Sequence, residues 1–187
     1  MSFTYEVTPN TGHKSGDGTD ENVLIRLYGF DGKVAGDYYC DLGQEDDFEY
    51  NNTHFTYNLV TDEYIGDIQK ILVYVRPNTE KPVGPAWDLC DIDVKYYVNG
   101  QEYNKKFQCN RWIGIRERGS DGHDVHQFVE CYREGSKVFD SDPEGEKKYD
   151  IISAHGGAIY PCSQDPTWKN NKRPVISSEG HRVDYCD

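Results

Sequence analysis

Residues 90–109 read CDIDVKYYVNGQEYNKKFQC, and this stretch decides the fold class. Cys90, Ile92, Val94, Tyr96 and Val98 alternate with Asp91, Asp93, Lys95 and Tyr97, the period of a strand with one apolar face. Asn99-Gly100 follows, the strongest two-residue hairpin signal, because both turn positions need positive φ and these residues tolerate it. A turn there sets Tyr96 opposite Tyr103, Ile92 opposite Phe107 and Cys90 opposite Cys109. Directly opposed strand residues lie within bridging distance, so the register predicts a Cys90–Cys109 disulfide. Cys40 is then left to join Cys131, Cys162 or Cys186, with the other two pairing.

Outward from the hairpin, the chain through residue 113 is a run of short strands. Phe3-Val7, Val23-Tyr28, Tyr38-Leu42, His54-Leu59 and Ile68-Val75 are each bounded by Gly, Pro, Asn or Asp clusters. Seven or eight such strands in so short a span predict a sandwich or barrel. Residues 114–187 have a different texture: strand-like pieces survive at Val125-Tyr132, Lys137-Phe139 and Tyr149-Ile152, but 161–187 lacks apolar periodicity. A segment so poor in core residues and containing Cys131, Cys162 and Cys186 reads as an extension stapled to residues 1–113 by disulfide, not an independent domain.

Composition agrees. The 187 residues include 15 Tyr, 18 Gly and a single Met, a strand-and-turn balance, and 36% hydrophobic residues are enough for a core. The net charge of −13 argues against nucleic acid, and against anionic membranes approached by bulk charge alone. No apolar run approaches the roughly 20 residues that span a bilayer. Six cysteines without a C-x-x-C pair read as disulfides rather than zinc ligands, hence an oxidising, extracellular setting for a secreted protein. Nothing at the N-terminus resembles a signal peptide.

Ordered blocks of this strand region resemble a known family. Gly18-Thr19-Asp20-Glu21-Asn22-Val23 leading into Ile25-Arg26-Leu27-Tyr28-Gly29, then Phe55-Thr56-Tyr57, Ile65-Gly66-Asp67-Ile68, Gly84-Pro85-Ala86-Trp87-Asp88-Leu89 and Phe107-Gln108-Cys109-Asn110-Arg111-Trp112-Ile113 are similar to the PLAT (polycystin, lipoxygenase, alpha-toxin), or LH2, domain. The resemblance implies an eight-stranded antiparallel β-sandwich over residues 1–113. It also implies no catalysis, and a role in membrane docking or partner binding that some members assist with calcium.

Calcium takes six to eight oxygens from loop carboxylates and carbonyls. The loop carrying Asp17, Thr19, Asp20 and Asn22 matches the family's ligand-bearing block. The partner loop reads Arg76-Pro77-Asn78-Thr79-Glu80, with Pro77 where the family has aspartate, so Asn78 and Glu80 are the substitutes. Solvated turn carboxylates without an ion are the competing reading. For contact with a membrane or apolar ligand the best candidate is Phe30, because a turn flanked by Gly29 and Gly32 is a poor place to bury a ring. Tyr38, Tyr39 and Trp168 follow.

Catalytic patterns are missing from the sequence. His123-Asp124-Val125-His126 is not H-E-x-x-H, Gly119-Ser120-Asp121-Gly122 is not a nucleophile elbow, and no phosphate-binding loop occurs. The expectation is a secreted, non-enzymatic module binding lipid, a membrane surface or another hydrophobic ligand, with calcium assistance. The alternatives are a protein partner or homo-oligomer, and carriage of a fatty acid, sterol or pigment.

Overall fold

The computed structural model describes residues 2–12, 22–40, 56–76, 86–114, 124–126, 128–139, 160–161, 175–176 and 183–184. In chain order the strands are β1 (Phe3–Thr11), β2 (Asn22–Tyr28), β3 (Val34–Cys40), β4 (Tyr57–Thr61), β5 (Lys70–Arg76), β6 (Trp87–Val98) and β7 (Gln101–Ile113). They continue as β8 (Val125–His126), β9 (Phe128–Cys131), β10 (Ser136–Phe139), β11 (Tyr160–Pro161), β12 (Val175–Ile176) and β13 (Val183–Asp184). One sheet runs β4-β1-β6-β7-β8 and the other β10-β9-β5-β2-β3-β11, while β12 pairs with β13.

At the centre stands the expected antiparallel sandwich of eight strands, β4-β1-β6-β7 facing β9-β5-β2-β3. Two short strands join it in parallel, β8 beside β7 and β11 beside β3. The eighth strand is β9, which lies past residue 113. Its Val129 and Cys131 enter the common core, because β5 would otherwise present an open edge and pairs Ile71–Tyr74 with Cys131–Phe128. The sandwich therefore extends through β10 to Phe139 instead of stopping at 113. Cys162 and Cys186, on which the expected staple depends, lie outside the described residues.

Alternation builds the five-stranded sheet. Along β1, Tyr5, Val7 and Thr11 turn inward while Thr4, Glu6 and Thr8 face water, and Thr11 is satisfied inside by the Trp87 indole N–H at 2.8 Å. In the central strands of the other sheet both faces are withdrawn from water. Val23, Ile25, Leu27, Ile71, Val73 and Val75 join the core, and Leu24, Leu72, Tyr74 and Phe128 are fully buried on the opposite face. That opposite face also holds Arg26 against Asp37, and Lys70 against the buried Glu130 at 2.6 Å.

The hairpin has the register read from the sequence as far as Asp91↔Gln108, with Tyr96↔Tyr103 and Ile92↔Phe107, and Asn99 and Gly100 both take positive φ. Beyond that point β7 carries one extra residue, and Leu89 pairs with Arg111. Asn110 absorbs the bulge at φ 54. Against β1 it is β6 that carries an extra residue, Cys90, so its core-facing residues switch from Ile92, Val94 and Tyr96 to Leu89 and Trp87, and Cys90 falls outside the core cluster while Cys109 stays within it. This corrects the Cys90–Cys109 pairing. The bulge removes their direct opposition, and Cys109 lies in the buried core beside Cys131.

Candidate functional site

Phe30 sits at the tip of a short 3-10 turn, Phe30–Gly32, between β2 and β3. The ring is 64% exposed, the largest exposure of any described large hydrophobic side chain. Its backbone is nevertheless held: Phe30 N–H donates to Ile65 O at 2.8 Å, Gly29 N–H to Lys33 O at 2.8 Å and Lys33 N–H to Phe30 O at 3.2 Å. Two glycines make the contact possible. A Cβ on Gly29 would lie 2.1 Å from the Ile65 carbonyl oxygen, and one on Gly66, at φ 85, would lie 2.6 Å from Phe30 Cβ. The sequence thus mounts an exposed ring on a fixed support.

Beside it lies a graded cluster of aromatic rings. Tyr64 packs on Phe3 with centroids 4.7 Å apart, Phe3 on Tyr5 at 4.9 Å, Tyr5 on Tyr96 at 5.2 Å, and Tyr96 stacks on Tyr103 at 5.3 Å. Tyr5 and Tyr96 are buried, whereas Tyr64, Tyr103 and nearby Val34 reach solvent. Tyr5 donates to Gly66 O at 2.8 Å and Tyr96 donates to Asp67 Oδ1, while Lys105 Nζ stands 3.6 Å from Asp67 Oδ2. Burial pushes the Tyr5 phenol well above its ordinary range. Burial and then the Asp67 carboxylate do the same to Tyr96. Both stay neutral across physiological pH and behave as apolar rings with one satisfied hydroxyl.

Asn22, the one described residue of the candidate cation set, lies at the far end of β2 from Phe30. β2 runs from Asn22, opposite Arg76, to Tyr28, opposite Lys70, and Phe30 follows Tyr28. Seven residues of strand separate the two ends by roughly 20 Å. Asp17, Thr19, Asp20, Asn78, Glu80 and Trp168 lie outside the described residues, and Asn22 and Tyr39 are described in backbone only. The carboxylate, hydroxyl and amide donors of Asp17, Thr19, Asp20 and Asn22 are chemically suited to a hard cation. Among the described residues no group of three or more His, Cys, Asp or Glu could hold a metal. Also among them, no helix is long and apolar enough to cross a membrane.

Tyr38 is not a surface contact residue. Bulging between Ile25 and Leu27 in the β2–β3 pairing accompanies its turn into the core, where it is 2% exposed and its hydroxyl donates to Val60 O at 2.8 Å, tying β3 to β4. Sequence reasoning also missed Tyr64 and Phe3 as members of the ring cluster with Tyr5 and Tyr96. The hairpin register did carry the signal for Tyr96 beside Tyr103, but nothing local links them to the 62–69 loop.

Two antiparallel sheets packed face to face, with an exposed aromatic tip between two strands, define a β-sandwich domain. The chain belongs to the PLAT/LH2 domain family, whose model matches residues 5–123. It is 30% identical over 158 residues to human Lipoxygenase homology domain-containing protein 1, covering 84% of this chain but 7% of that protein. It is 32% identical over 114 residues to the mouse Polycystin family receptor for egg jelly, covering 61% of this chain and 5% of the relative. The chain thus spans a small fraction of the curated relatives it matches. A LOX variant crystal structure superposes with a TM-score of 0.53 at 17% identity, over 95% of this chain and 23% of that one, which shows the shared fold.

Proposed function

We propose that this domain docks peripherally, outside the cell, on a zwitterionic phospholipid surface, with Phe30 as the inserted side chain. The observation that carries the reading is the 64% exposure of a ring whose backbone is fixed by the Ile65 contact. Exposed aromatic rings partition into the membrane interface, and a turn whose backbone is already fixed loses little backbone freedom on insertion. Asp31, Asp62, Glu63 and Asp67 surround the tip alongside Lys33 and Lys105, so apolar contact and not attraction to anionic headgroups drives the docking. Docking through the Phe30 ring uses no cation, and the one described member of the candidate cation set, Asn22, stands at the far end of β2 from Phe30, so this docking is indifferent to a chelator.

Flotation with phosphatidylcholine vesicles tests this. The protein is expected to float equally with calcium or chelator, and Phe30→Ala to weaken binding roughly tenfold, the scale of burying part of one ring. Undiminished flotation of Phe30→Ala overturns the reading, as does a loss of wild-type binding on chelation. A lipid-free defined oligomer, or a small-molecule adduct in native mass spectrometry without vesicle binding, would replace it with the assembly or carrier reading.

A further inference from the structure

The edges of the two sheets meet twice. On one side the Tyr38 hydroxyl reaches Val60 O across β3 and β4. On the other, β7 and β9 come close enough for backbone pairing: Gln108 N–H donates to Tyr132 O at 2.7 Å, and Gln108↔Tyr132 is an antiparallel bridge. Extending that pairing by one residue sets Cys109 opposite Cys131. The neighbouring strand confirms how close they are, since Ser136 pairs with Cys131 and its hydroxyl donates to Cys109 O at 2.6 Å. Both cysteines belong to one buried core cluster, and Cys109 is the neighbour that, together with burial, raises the Cys131 thiol above its ordinary range. Opposed antiparallel residues next to a hydrogen-bonded pair have Cα atoms about 4.5 Å apart, inside the range a disulfide spans.

We propose that Cys109 and Cys131 form a disulfide that locks the five-stranded sheet to the six-stranded sheet. The chemistry is exchange with a small disulfide of the glutathione type. One cysteine thiolate attacks it and releases one small thiol, leaving a mixed disulfide. The second thiolate attacks the protein sulfur of that mixed disulfide and releases the other small thiol. Two protein sulfurs are oxidised, the small disulfide is reduced, and both cysteine protons end on the departing thiols. With both side chains buried, exchange belongs to folding, before the seam closes. In the closed sandwich the neighbouring Cys109 and burial push the Cys131 thiol upward, so thiolate is scarce and the disulfide, once made, is shielded.

The full chain, folded in the presence of oxidised and reduced glutathione, is alkylated under denaturing, non-reducing conditions and digested. A peptide pair linked through Cys109 and Cys131, two hydrogen masses lighter than the free peptides, is expected. Reduction should lower the Tm by about 6–12 °C more in the unsubstituted protein than in Cys131→Ser, the span for a cross-link closing a loop of this size. Should Cys131→Ser not fold, the peptide map of the unsubstituted chain decides alone. Alkylation of both residues, or Cys109 linked to Cys90 or any other cysteine, overturns the proposal.

Discussion

Arg26 meets Asp37 edge-on, Nε to Oδ1 at 2.5 Å and Nη2 to Oδ2 at 3.0 Å, on the outward face of the six-stranded sheet. Tyr74 also donates to Asp37 Oδ2, and the two charged side chains are 15% and 5% exposed. Burial disfavours the Arg26 cation, but the bonded Asp37 carboxylate outweighs it and holds the guanidinium firmly charged.

Removing one partner strands the other charge in a dry site. Asp37→Asn is expected to cost about 3–5 kcal/mol in urea unfolding, whereas the apolar double replacement Arg26→Met with Asp37→Leu recovers most of that loss. A single-substitution cost below about 1 kcal/mol, the scale of a surface pair, would show that the site is solvated.

The buried phenols dictate the alkaline limit. Unfolded tyrosines ionise near pH 10, while burial, joined at Tyr96 by Asp67, holds Tyr5 and Tyr96 protonated well beyond that. The unfolded state therefore loses these protons first. The stability they contribute is fully present below about pH 10 and is lost as pH rises toward the folded values. Urea midpoints should fall through this window together with the rise of phenolate absorbance, and Tyr96→Phe should flatten the fall. An unchanged pH profile in Tyr96→Phe would refute the assignment.

Support and insertion at Phe30 can be separated by substitution. Gly29→Ala forces a Cβ against the Ile65 carbonyl and should cost about 1–3 kcal/mol while also weakening vesicle binding, since the turn must shift. Phe30→Ala should weaken binding with the Tm nearly unchanged, because its ring is mostly in water already. Equal thermal stability of Gly29→Ala and the parent would mean that the turn is not rigid.

Much of the fold was legible because it rests on local chemistry. Asn99-Gly100 requires a tight turn, so the hairpin register followed from it, and Gly29 and Gly32 marked Phe30 as exposed. What the sequence hid depends on pairing between distant segments. Nothing around Phe128–Cys131 says that β5 needs an edge partner, and nothing near Tyr38 says that Val60 waits for its hydroxyl. The bulge left one faint sign, an asparagine at position 110, a residue type that tolerates positive φ. That bulge and the shift of β6 against β1 at Cys90 together turn Cys90 out of the core and leave Cys109 beside Cys131, and neither irregularity follows from the alternation of the hairpin.

The length of β2 also bears on the protein's acidity. In the proposed docking on Phe30, with β2 along the membrane normal, the Asn22 end of that strand stands roughly 20 Å above the lipid. The Debye length in physiological salt is about 8 Å. Charges at that height are screened through more than two decay lengths, so in the proposed docking the repulsion felt by the headgroups comes from Asp31, Asp62, Glu63 and Asp67 near the tip more than from carboxylates at the Asn22 end of β2.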